Sequence, residues 1–210
     1  MRCSSVRGEA SAEPVTRIVA RLFDGQRLDL EEVYRFENGP VNVGSRMHWD
    51  LLAQWSHILA GLQAAASRYG ERIASVGVDT WGVDFGLLGK GDELLGNPYH
   101  YRDSRTDGVM EQVFEVVPRE QVFDQTGIQF MQLNSLFQLY AMRLADAPAL
   151  RAASTFLTMP DLFNYWLTGH RVCEFSIATT TQCYDPRKGD WSIPLLERLG
   201  IPTHIFPEIV

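Results

Sequence analysis

Two β-rich runs, VTRIVARLF (15–23) and LDLEEVYRFE (28–37), flank Asp24-Gly25. An Asp-Gly pair between such runs is a hairpin signal, because both residues tolerate the positive φ that a tight turn demands. Leu28, Leu30, Val33 and Phe36 do not alternate strictly, so the second run leaves room for a β-bulge. From Asp50, apolar residues then recur at Leu51, Trp55, Ile58, Leu62, Ala65 and Tyr69, a helical stripe that ends at Gly70. IASVGVD (73–79) reads as a buried strand and VDFGLL (83–88) as another, followed by a turn at Gly89-Lys90-Gly91-Asp92. A hairpin, a long helix and two more strands predict an α/β domain, not a sandwich.

The second half reads as mostly helical. TDGVMEQVFEVV (106–117) offers Thr106 as a cap and stops at Pro118. NSLFQLYAMRLAD (134–146) opens on Asn134, a cap candidate, and MPDLFNYWLTG (159–169) closes on Gly169. The Thr-rich SIATTTQC (176–183) precedes a loop, DPRKGDW (185–191). Residues 1–14 are small and polar and predict a disordered leader. The 210 residues suffice for a sizeable core.

Net charge is −7, which gives no reason to expect a nucleic-acid partner or an anionic membrane surface. No run approaches the length of a membrane span, and MRCSSVRGEASAEPVT lacks the apolar core of a signal peptide. The three cysteines, Cys3, Cys173 and Cys183, form no CxxC pair. Neither a disulfide framework nor a zinc site is expected, and a reducing cytoplasm is the natural setting.

The run VGVDTWGVDFGLL (76–88) carries Trp81, Gly82 and two carboxylates inside a β-rich stretch. Trp-Gly offers a flat aromatic wall and a point where backbone can approach a ligand, or equally a bulge beside a core tryptophan. Asp79 and Asp84 invite an acid/base pair, but a spacing of five across a corner does not fix their geometry. In YRDSRT (101–106), Asp103 lies between Arg102 and Arg105. The arginines hold it ionised, either to accept sugar hydroxyls or simply as a structural ion pair. Gln129, Gln132 and Asn134 could line a pocket for a hydroxylated ligand, and Glu174 and Ser176 read as a capped helix start. The five histidines have no metal-ligand spacing.

Taken in order, VDTWGVDFGLL, PYHYRDSRT, TGIQFMQLNSLFQL, LTMPDLFNYWLTG and EFSIATTTQCYDPRKGDW resemble the N-terminal lobe of the FGGY carbohydrate kinases, in their rhamnulokinase branch. The likeness runs from about Arg17 to near the C-terminus, so residues 15–210 are expected to form one incomplete kinase N-terminal domain. It implies the ribonuclease-H-like, actin-like ATPase fold: a mixed sheet with flanking helices. It also implies phosphoryl transfer from ATP, with Mg²⁺, to the 1-hydroxyl of L-rhamnulose. Gly82 matches the family's sugar-contacting glycine, and Trp81 would wall the same pocket. Asp103 and Arg105 match the acidic and basic residues beside the sugar. Arg17 matches the arginine that ends the first phosphate-binding segment.

Two departures accompany the likeness. Where the family has an Asp-Leu-Gly-Ala-x-Ser-Gly-Arg phosphate turn, this chain has ASAEPVTR (10–17), in which only Arg17 survives and Pro14 removes an amide donor. The chain also stops before the family's catalytic Asp and its adenine-binding lobe, so no catalytic residue is assigned and the isolated chain is expected to be inactive. Without the family's first strand, VTRIVARLF is expected to be an exposed edge and stability to be marginal. A non-catalytic sugar- or protein-binding module and a carboxylate-pair hydrolase remain as alternatives.

Overall fold

The computed structural model describes residues 2–3 and 15–210. The expected disordered leader therefore falls, apart from Arg2–Cys3, outside the described residues. The described residues divide into two compact units, one comprising those within 1–41 and 49–81, the other 42–48 and 82–210.

In the first unit, β1 (Arg2–Cys3), β2 (Val15–Phe23) and β3 (Leu28–Glu37) form an antiparallel sheet in the order β1-β2-β3. Asp24 makes the β2–β3 turn: its carboxylate accepts from the amides of Gln26 at 2.9 Å and Arg27 at 2.7 Å. Ile18 faces Tyr34 but Val19 faces Glu32, so Val33 is the extra residue of a bulge in the second run, as its imperfect alternation allowed. β1 covers only Ile18 and Val19 on the other side of β2. The rest of that edge has no strand partner among the described residues.

Helix α1 (Leu51–Tyr69) starts at Asp50, whose carboxylate accepts from the Ala53 amide at 3.2 Å, and stops at Gly70. It buries Leu51, Gln54, Ile58, Gly61, Ala65 and Tyr69, one face at helical spacing. At Gly61 helix and sheet approach closely, since a Cβ there would run into Ile18 Cδ1. The interface also carries polar ties. Tyr34 Oη lies 2.9 Å from His57 Nδ1, and Gln54 Nε2 donates to Asn38 Oδ1 at 2.7 Å.

The expected buried strand at 73–79 does not form. Residues 73–81 enter no sheet, and Val76 is 43% exposed. Ile73, Val76 and Val78 supply β propensity, but propensity needs a ladder partner and a face to pack against. No described strand supplies one.

In the second unit, β6 (Phe85–Leu88) pairs antiparallel with β7 (Thr155–Thr158), Phe85 opposite Thr158 and Leu88 opposite Thr155. All eight residues are buried, which explains why FGLL and TFLT do not alternate. The hairpin of β4 (Pro40–Val43) and β5 (Arg46–Trp49) precedes α1 in the chain. Around the β6–β7 ribbon lie α2 (Val109–Val116), α3 (Arg119–Thr126), α4 (Ser135–Leu144), α5 (Pro148–Ala152), α6 (Met159–Thr168), α7 (Phe175–Ala178), the two-residue strands β8 (Tyr184–Asp185) and β9 (Asp190–Trp191), and α8 (Ile193–Arg198).

α2 is capped at Gly108, not Thr106, which is buried in the preceding 3₁₀ turn. α6 closes on Gly169 as expected. α4 is buried on all sides from Ser135 to Met142, a central helix with no solvent face along that stretch. It shares one hydrophobic core with Val113, Phe156, Leu195 and Leu196, each fully buried.

Candidate functional site

The longer stretch of the second unit, 82–210, begins with a distorted corner. The Asp84 amide donates to the Gly82 carbonyl at 3.0 Å, closing a three-residue turn around Val83, whose φ is +71°. A hydrogen bond from i+2 to i at that φ is the γ-turn of the rarer, strained hand. For a β-branched residue this backbone is an outlier, costing about 1–3 kcal/mol unless the surroundings hold it. They do. Ser135 Oγ donates to the Val83 carbonyl at 2.6 Å. Gln138 Nε2 shares its two hydrogens among the Val83 carbonyl at 3.2 Å, Asp84 Oδ1 at 2.9 Å and the Leu133 carbonyl at 2.8 Å. Asp84 Oδ2 accepts from the Tyr101 amide at 3.2 Å.

Gly82, at the head of this turn, faces the Thr-rich segment. A Cβ built on it would lie 3.0 Å from Thr180 Oγ1, tighter than a methyl group tolerates without displacement. Thr180 Oγ1 is itself fixed by donating to the Ile177 carbonyl at 2.8 Å. The corner therefore presents bare backbone beside a hydroxyl, an arrangement suited to a polyhydroxylated ligand.

Gln138 also reaches the YRDSRT segment. Arg105 Nη2 donates to Gln138 Oε1 at 2.6 Å and Nη1 to the Gln138 carbonyl at 3.0 Å. The guanidinium lies 4.1 Å from the centre of the Tyr99 ring, a cation–π contact. Its side chain is 9% exposed, and its Nε makes no hydrogen bond, with Asp103 Oδ1 4.0 Å away. Burial pulls the Arg105 pKa down to about 10, against the opposing pull of Asp103, so it stays charged at neutral pH. A buried cation with a spare donor is costly to leave unmet, which marks Arg105 as a ligand-facing candidate.

Asp103 has less to spare. Its carboxylate accepts from the Met47 amide at 2.7 Å and the Arg105 amide at 2.9 Å, and pairs with Arg46 at 3.4 Å. These contacts favour the structural reading of its charge: Asp103 fixes the backbone from which Arg105 projects.

His100 is buried beside them, with Nδ1 accepting from the Arg102 amide at 3.1 Å. That acceptor requires a neutral ring. Burial, reinforced by the Arg102 charge and only partly offset by Asp103, pushes its pKa down to about 4. The unfolded chain takes up a proton near pH 6.5 that the folded chain refuses. Stability present above pH 6.5 is thus expected to fall by up to about 3 kcal/mol as pH drops toward 4. Urea unfolding at pH 7, 5.5 and 4.5 reads this, and in His100→Asn that part of the pH dependence should vanish.

The other sequence candidates are dispersed. Trp81 belongs to the first unit, half-buried against Trp49 with ring centres 4.1 Å apart. Asp79, also there, is exposed. Asn134 begins α4, but its side chain makes no cap; Nδ2 donates to Gln182 Oε1 at 2.8 Å and to the Gln129 carbonyl at 3.0 Å. Gln129 is exposed, and Gln132 reaches Asp107 at 3.3 Å. Glu174 does cap α7, accepting from the Ile177 amide. Cys173 and Cys183 are buried with thiol pKa values pushed upward by burial, Cys183 to about 12, so neither is a nucleophile.

Residues 10–14 of the expected phosphate turn lie outside the described residues. Arg17 sits in β2, 3.1 Å from Glu32. That carboxylate would repel a polyphosphate, so Arg17 as placed does not fit an ATP–Mg²⁺ site. No group of three or more His, Cys, Asp or Glu suited to a metal occurs among the described residues. No described helix is long and apolar enough to cross a membrane.

Gln138, Ser135 and Thr180 were not singled out in the sequence. The signal for Gln138 was there: an amide inside SLFQLYAM, where every neighbour is buried, needs partners for three or four hydrogen bonds.

Curated relatives are similar to this chain in sequence, and solved structures are similar to it in fold. A rhamnulokinase from Bacteroides thetaiotaomicron is 45% identical over 183 residues, 87% of this chain and 38% of that protein. One from Oceanobacillus iheyensis is 38% identical over 92% of this chain and 41% of its own length. The chain thus spans about two-fifths of the length of these relatives. A ligand-bound xylulose kinase from Lactobacillus acidophilus superposes with a TM-score of 0.83 over all of this chain and 41% of its own, at 16% identity. A gluconate kinase from the same organism gives 0.80, again over 41% of that chain and all of this one, at 15% identity. At such identities the likeness shows the fold, which is the α/β, actin-like ATPase lobe expected from the sequence. Residues 36–210 match the family described as FGGY family of carbohydrate kinases, N-terminal domain. On that match, the chain belongs to the FGGY carbohydrate kinases.

Proposed function

We propose that this chain is the ketose-holding part of a rhamnulokinase-type enzyme, which phosphorylates L-rhamnulose to L-rhamnulose 1-phosphate with ATP and Mg²⁺ in the cytoplasm. Gly82 and Arg105 are the sugar-facing groups of this reading, with Asp103 holding the Arg105 backbone. The observation that carries it is the corner at Gly82: bare backbone against Thr180, two residues from a buried carboxylate, joined through Gln138 to a buried arginine with a spare donor. Kinship to the rhamnulokinases is what supports L-rhamnulose as the ketose of this reading.

Nothing in the placement of Arg17 favours the nucleotide, so phosphoryl transfer is assigned to the length of the relatives that this chain does not span. Catalysis of this kind is positioning and charge stabilisation shared among several parts, and a sugar-holding part alone performs none of it. Titration calorimetry with L-rhamnulose tests the proposal, with D-xylulose for comparison. Saturable heat with L-rhamnulose is expected, and no heat at millimolar sugar overturns it. A coupled ADP-release assay on the same protein is expected to show no sugar-dependent turnover. Sugar binding without turnover is also what a non-catalytic binding module derived from the kinase lobe would show, and Arg17's pairing with Glu32 suits that second reading.

A further inference from the structure

We infer that Gln138 is the positioning residue of the sugar site, one side chain that holds both the Gly82 turn and Arg105 in place. The inference rests on the proposed ketose site and goes beyond it, because Gln138 need not touch the sugar. The amide is 1% exposed and its two ends face different segments. Its Nε2 donates to the Val83 carbonyl and Asp84, and so holds the strained turn shut from the carbonyl side. Its Oε1 accepts from Arg105 Nη2, and its own carbonyl accepts from Nη1, so the guanidinium is gripped at two points by one residue.

Only an amide does both jobs at neutral pH. A carboxylate would keep the Arg105 contact but lose the donors and set a second negative charge against Asp84. A methionine of the same length would fill the space and keep neither contact. A turn whose central residue sits at φ +71° loosens when either of the two side chains that donate to its carbonyl, Gln138 or Ser135, is removed, and the Gly82 backbone moves with it. The sugar would then lose two contacts through one substitution that removes no atom from the sugar-facing groups.

The test follows the Val83 and Asp84 amides and the Arg105 Nε–H by NMR, and L-rhamnulose affinity by calorimetry, in the full chain. Gln138→Met is expected to shift both sets of resonances and to weaken binding at least tenfold while circular dichroism stays native. Gln138→Glu is expected to recover the Arg105 signal but not the Val83 and Asp84 signals, with intermediate affinity. Should Gln138→Met fail to fold, Ser135→Ala decides. It removes only the other donor to Val83, and the linkage predicts that the Arg105 signal moves as well.

Native affinity in a folded Gln138→Met, or an Arg105 signal that ignores Ser135→Ala, overturns the inference. If the unsubstituted chain binds no L-rhamnulose, the ketose reading falls on its own. The resonances still decide the clamp: both sets moving in Gln138→Met upholds it, and one set alone refutes it.

Discussion

Arg105→Ala is expected to weaken L-rhamnulose binding by about 10- to 150-fold, the equivalent of losing a hydrogen bond from a charged donor, about 1.5–3 kcal/mol. The guanidinium is nearly buried, so a hydroxyl that accepts from it does so with little water to compete. Asp103 keeps its bonds to the Met47 and Arg105 amides in this variant, because neither depends on the Arg105 side chain. The segment should therefore hold its course while the donor is gone. Arg105→Lys should not restore affinity, since an ammonium cannot span the Gln138 carbonyl and Oε1 as the planar fork does. Calorimetric titration well below the unfolding temperature separates this from a loss of fold. Affinity that survives in Arg105→Ala would remove Arg105 from the site.

Phe156→Ala should be the most damaging core substitution, costing about 3–5 kcal/mol of a total that for ordinary domains is about 5–15. Phe156 is fully buried at the centre of the β6–β7 ribbon. Its ring meets Phe85 at 4.8 Å, Phe206 at 5.1 Å and Trp191 at 6.0 Å between centres. Three ring contacts from separate segments cannot all close over the cavity, so both the transfer and the cavity costs are paid in full. Phe123→Ala is the contrast: that ring is 52% exposed, and its loss should cost less than about 1 kcal/mol. Urea unfolding followed by circular dichroism reads both. Equal midpoints for the two variants would contradict this picture of the core.

The elements legible in the sequence are those whose causes are local. Asp24-Gly25 set the β2–β3 turn, Asp50 and Gly70 bounded α1, and Gly169 ended α6. The bulge at Val33 showed itself as faulty alternation. What failed depended on distant partners. IASVGVD has the composition of a strand, yet no described strand lies alongside it to satisfy its amides. Asn134 has the position of a cap, but Gln182, forty-eight residues away, takes its side chain.

The candidate site shows the same division. Trp-Gly and YRDSRT stood out by type, and the residues that organise them did not. Val83 occupies a backbone that its own propensity opposes, so no local reading could place it there. It is held by Ser135 and Gln138, more than fifty residues away in the chain. Asp84, a candidate acid in the sequence, turns out to be a buried acceptor for Gln138 and the Tyr101 amide. Rules broken locally and repaired by tertiary bonds are what a functional corner is expected to show.

On the proposed reading, the second unit holds a ketose between the Gly82 corner and Arg105. Titrating the ¹⁵N-labelled chain with L-rhamnulose tests it residue by residue. Saturable shifts are predicted at the Gly82, Val83 and Asp84 amides, the Thr180 amide and the Arg105 Nε–H. Saturable shifts confined to other residues, such as the open groove lined by Arg119, Phe123 and Phe130, would contradict it.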